Sequence, residues 1–88
     1  MFRIQANIIK ENHILKHKVI TNDSDDNRTK KVLDSLALIC YEFDLPVPSW
    51  FDYNIKQFKE FSKVRFNSDN FIEEVNFDYL ELTMLDED

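Results

Sequence analysis

Eighty-eight residues make one domain by length. A chain this short buries only roughly 60–65% of its unfolded surface, so its core must be dense. Its 43% hydrophobic content, with eight Phe, three Tyr and one Trp, excludes a disordered chain, and the absence of glycine excludes phosphate-cradling loops, dinucleotide fingerprints and Gly-x-Ser-x-Gly nucleophile elbows.

The chain opens with period-two alternation: Phe2, Ile4, Ala6 and Ile8 share one face of a strand, against Arg3, Gln5 and Asn7. "KENH" at 10–13 is a polar break without glycine, which favours a longer hairpin loop over a tight primed turn. The second strand, "ILKHKVIT", alternates less cleanly, and one bulge would place Ile14 and Val19 on the same side. Lys16 and Lys18 fit a solvated face or a protected edge.

"NDSDDN" at 22–27 supplies helix caps and negative charge for a helix N-terminus. A helix from 28 to 43 follows, with Val32, Leu33, Leu36, Ile39, Cys40 and Phe43 as its core stripe. Leu38, Tyr41 and Leu45 form a second stripe, implying another element over the far side, and Pro46 ends the helix. Ser49-x-x-Asp52 resembles a capping box, starting a second helix from Trp50 to about Phe61. On that helix Trp50, Phe51, Ile55, Phe58 and Phe61 fall within about 140° of arc, facing the core, while Tyr53 points away.

"KVRFNSDN" reads as a link, and residues 67–75 fit either a helical turn or a strand. "FDYLELTML" at 77–85 is a strand with Leu80, Leu82 and Met84 on one face and Phe77, Tyr79, Glu81 and Thr83 on the other. Paired with the hairpin, it would set Glu81 across from Lys16 or Lys18, with Phe77 and Tyr79 partly exposed. The closing "DED" reads as a solvated tail. The expected fold is α+β over residues 1–88. It has a β-hairpin, two helices and a C-terminal strand (ββααβ), giving a mostly antiparallel sheet covered on one face by helices.

No constellation in the sequence carries catalysis. His13 and His17, four apart on a strand, lie about 13 Å apart, too far to share a metal. Asp23-x-Asp25-x-Asn27 overlays the start of a calcium loop, but Arg28 stands where glycine is needed, and Asp34 at the twelfth position sits inside a helix. No serine has a histidine at an informative spacing. Cys40 is alone among Leu36, Ile39 and Phe43, which fits a buried, inert thiol in a cytoplasmic setting. There is no signal-peptide pattern and no apolar run of membrane-spanning length. Neither enzyme activity nor a cofactor is expected.

Charge is unevenly placed. Residues 1–65 hold 11 basic and 9 acidic side chains, a balance of +2, while residues 66–88 hold 8 acids and no Lys or Arg, a balance of −8. A protein-interaction module engaging a basic partner surface is the expected function, through Tyr53, Glu73, Glu74, Phe77, Tyr79 and Glu81. The alternatives are a homo-oligomeric structural protein and an acidic mimic of nucleic-acid phosphate acting as an inhibitor. Direct nucleic-acid binding would use Lys56, Lys59, Lys63 and Arg65 beside Phe58, Phe61 and Phe66, but the core wants those aromatics and Glu60 interrupts the patch.

"LICYEFDLPVPSWFDYN", "RFNSDNFIEE" and "FDYLEL" together resemble a group of short, uncharacterised bacterial proteins of similar length. That resemblance covers nearly the whole chain. It implies no activity and supplies no site residues.

Overall fold

A computed structural model describes residues 1–87; Asp88, the end of the expected tail, lies outside the described residues. The described chain is α+β, with strands β1 (Arg3–Lys10) and β2 (His13–Thr21), helices α1 (Arg28–Glu42) and α2 (Asp52–Phe61), then strands β3 (Lys63–Phe66) and β4 (Tyr79–Asp86). The sheet is antiparallel in the order β2-β1-β4-β3. The expected hairpin, two helices and C-terminal strand are all present, and a short fourth strand is added where the sequence read as a link.

The hairpin turns tighter than expected. Glu11 and Asn12 are its two central residues, at φ 51° and 65°. Positive φ at both positions is what a type I′ turn requires. Asp78 on the far side of β1 accepts the Glu11 N–H at 2.8 Å, which helps to hold a non-glycine residue there. The expected bulge falls at Leu15, where the register passes from Ile8↔Lys16 to Ile9↔Ile14. It brings Ile14 and Val19 to the same side of the sheet.

Phe2, just before β1, and Ile4, Ala6 and Ile8 from β1 meet Leu80 and Leu82 from β4 and Val64 and Phe66 from β3 on the helix-covered face. Above them α1 lays down Val32, Leu36, Ile39 and Cys40, with Phe43 at its end. Asn27 caps α1, its Oδ1 accepting the Lys30 N–H at 2.9 Å. Leu33, expected in this stripe, is instead half exposed. Leu38 and Tyr41 are exposed as well, so no further element covers the far side of α1 among the described residues.

The second helix departs most from expectation. It starts at Asp52 with Phe51 as N-cap, not at Trp50 after Ser49. Ser49 is committed elsewhere: its N–H donates to Asn70 O and its carbonyl accepts from Asn70 Nδ2, both at 2.7 Å. Residues 46–50 are thus pinned to the short 3₁₀ turn Ser68–Asn70, and Trp50 packs edge-on to Phe58 and Phe66. Asn54 takes the central buried place on α2. Its Oδ1 accepts from Phe51 N–H (3.0 Å) and Asn70 Nδ2 (2.8 Å), and its Nδ2 donates to Arg65 O (3.2 Å). That rotation buries Asn54 and Phe58 and leaves Phe51, Ile55 and Phe61 exposed, Phe61 at 66%.

Candidate interaction surface

Two surfaces are built from the residues that the charge distribution singled out, and they lie on different parts of the fold. The first is a corner at the C-terminal end of α1. Asp44 sits at φ 57° just past the helix, where its N–H donates to Tyr41 O (3.2 Å) while the Leu45 N–H reaches Cys40 O (2.8 Å). This is a Schellman motif with aspartate in the position glycine usually fills. The chain then turns along Leu45 and Pro46, and residues 73–77 run beside it.

Glu42, Asp44, Glu73 and Glu74 gather around these shallow concavities, one of which, about 630 Å³, is lined by Tyr41, Asp44, Pro46 and Glu73. Lys18 neutralises Glu42 at 3.2 Å. Asp44, Glu73 and Glu74 make no ion pair or side-chain hydrogen bond among the described residues. Tyr41 stands 83% exposed above the corner, and Ile72, next to Glu73 in the chain, is 91% exposed. α1 carries no basic residue in its last turn. From β2, Lys16 Nζ donates to Phe43 O at 3.4 Å, so the carboxylates gather at a helix end that the dipole makes negative and that one lysine partly offsets.

The second surface is the uncovered face of the sheet. Glu81 pairs there with Arg65 of β3 (2.9 Å), not with Lys16 or Lys18, because β4 lies on the far side of β1 from β2. The Arg65 guanidinium also lies over the Tyr79 ring at 4.6 Å. Asn7 and His17, opposite one another on β1 and β2, are joined at 2.7 Å. These polar groups satisfy one another across the strands. Two residues of the expected tail are tied down too, Asp86 by Arg3 (3.2 Å) and Glu87 by Arg28.

The six residues expected to bind a partner are therefore dispersed. Glu73 and Glu74 lie at the corner, Tyr79 and Glu81 on the sheet face, and Tyr53 on α2, its ring tilted against Phe51 at 5.8 Å. Phe77, expected to be partly exposed, is buried, edge-on to Phe71 at 5.6 Å. It precedes β4, so strand alternation does not govern it. Of the basic-aromatic patch, Phe58 and Phe66 are core and Glu81 holds Arg65, while Phe61, Lys56, Lys59 and Lys63 stay exposed. Sequence reading missed Tyr41, Asp44 and Ile72. Tyr41 and Asp44 join the corner only through the Schellman turn, which a glycine-free sequence does not signal.

No protein-family model matches the chain, and no curated protein or solved structure resembles it significantly. No helix among the described residues is long and apolar enough to cross a membrane.

Proposed function

We propose that this domain is a protein-interaction module that engages a basic partner surface through the corner formed by Asp44, Glu73 and Glu74, with Tyr41 and Ile72 as apolar contacts. The observation carrying this reading is that three unpaired carboxylates gather at the negative end of α1, beside the two most exposed large apolar side chains. A partner's lysines and arginines would pair the carboxylates that this chain leaves unpaired. Exposed tyrosine and isoleucine add apolar area that a purely solvated acidic patch lacks. The module acts without chemistry of its own, and its encounters are steered by charge.

The test is an affinity capture from native extract at low salt, eluted by a salt step. Asp44→Asn/Glu73→Gln/Glu74→Gln and Tyr79→Ala/Glu81→Gln variants run alongside. The reading expects one protein to be released by salt, lost from the corner variant and kept by the sheet-face variant. Retention by the corner variant would refute it.

A further inference from the structure

Between the first turns of α1 and the body of α2 runs a groove of about 400 Å³. Leu33, Trp50, Ile55 and Phe58 wall it, Arg28 and Lys59 stand among its lining residues, and no carboxylate lines it. Leu33 and Ile55 are both left substantially exposed. Arg28 is partly engaged, stacked over Phe58 at 5.2 Å and paired with Glu87. Lys59 has no partner among the described residues. In a chain of net charge −6, this is an apolar site with a cationic border.

A groove cannot be filled by its own symmetry mate, because two concave faces leave a void and set like charges opposite each other. It calls for a convex apolar side chain flanked by carboxylates. The chain carries such an element: Ile72, 91% exposed, followed by the unpaired Glu73 and Glu74. The two features cannot meet within one molecule. The groove uses residues 28–33 of α1, whereas the corner lies past the other end of that helix, about 20 Å along its axis.

We infer that the groove receives the 71–75 segment of a second copy of this chain, with Ile72 inserted between Leu33 and Ile55 and Glu73 and Glu74 facing Lys59 and Arg28. This rests on the acidic corner being a binding surface, and it identifies a basic surface that the corner fits. The contact is heterologous, so each copy keeps one free groove and one free corner, and the products are rings or open chains. One loop in one groove buries less than a standard interface, so the association is weak and depends on concentration and salt.

Sedimentation velocity over a concentration series at low salt tests this. Wild type is expected to grow beyond dimer and to return to monomer as salt rises. Leu33→Asp blocks the groove and Ile72→Asp blocks the loop. Both sites are exposed, and thermal melts establish that each variant folds. Each variant alone is expected to be monomeric, and their mixture to give a one-to-one dimer and nothing larger, since together they retain one intact groove and one intact corner. Lys59→Glu is expected to abolish assembly, and Glu73→Lys in the same chain to restore it. A wild-type dissociation constant weaker than about 1 mM, or a mixture that stays monomeric, would overturn the inference. If wild type is monomeric while the low-salt capture still depends on Asp44, Glu73 and Glu74, this inference fails and the corner reading stands. An empty capture together with a monomeric wild type would remove both.

Discussion

Asn70→Asp exchanges an amide NH2 for an oxygen at nearly constant shape, so its effect isolates hydrogen bonding from packing. Asn70 is buried, and its Nδ2 donates twice, to Ser49 O (2.7 Å) and to Asn54 Oδ1 (2.8 Å), while its Oδ1 accepts from the Asn67 N–H (3.0 Å). Aspartate keeps the accepting oxygen and turns both donated bonds into oxygen–oxygen contacts. Leaving an uncompensated buried charge costs about 3–5 kcal/mol. A domain of this size holds roughly 4–13 kcal/mol in all, so the variant should stand near the edge of unfolding at neutral pH. Burial with a single backbone donor, and two carbonyl oxygens against it, raises the new carboxyl's pKa above the unfolded value of about 4. The cost is therefore smallest below pH 4 and grows as pH rises through the unfolded pKa. Asn54→Asp is the matched control. It too buries a carboxyl, but its oxygen keeps both of its donors and only one donated bond, to Arg65 O at 3.2 Å, becomes an oxygen–oxygen contact, so it should cost less than Asn70→Asp. Urea unfolding of the three proteins at pH 4 and pH 7 provides the assay. A cost below about 1 kcal/mol for Asn70→Asp at pH 7, or one no larger than that of Asn54→Asp, would refute the view that this pair of amides ties residues 46–51 to the sheet.

Other expectations follow from single positions. Ser62 caps α2 at φ 56° and donates its N–H to Phe58 O at 2.9 Å, a bond glycine retains. Relief of left-handed strain exceeds glycine's extra unfolded entropy, so Ser62→Gly should stabilise by about 0.5–1 kcal/mol in thermal melts. Leu36 and Leu38 are two residues apart on α1, one fully buried and one 46% exposed. Leu36→Ala should cost about 2–5 kcal/mol and Leu38→Ala about 0.5 or less in urea titrations. Burial pushes the Cys40 thiol from 9.0 up to about 11, so native protein at pH 8 should resist a thiol reagent that reacts at once in denaturant. Because the fold favours the neutral thiol, its contribution to stability is complete below pH 9 and declines as pH climbs towards 11.

Where side-chain period and burial coincide, the sequence was readable. Phe2, Ile4, Ala6 and Ile8 alternate into the core, and the stripe on α1 holds apart from Leu33. Reading failed on α2, where apolar spacing pointed Phe51, Ile55 and Phe61 inward. The helix instead turns a polar residue to the core, because Asn54 and Asn70 must meet to satisfy Phe51 N–H, Arg65 O and Ser49 O. Those bonds join residues as far as 21 positions apart, and periodicity carries no information about them. β3 escaped notice because only Val64 and Phe66 alternate inward over four residues. Of the interaction surface, the acidic bias towards the C-terminus was visible. Its division into a corner with unpaired carboxylates and a sheet face with paired ones was not, since that depends on which strand β4 joins.

The most direct measurement of the central claim is the association rate of the partner retained in the low-salt capture, followed against ionic strength for wild type and for Glu73→Gln/Glu74→Gln. The account predicts a wild-type rate that falls steeply as salt rises, a shallower slope for the variant, and matching melting temperatures for the two proteins. A rate indifferent to salt, or equal slopes for both proteins, would contradict it.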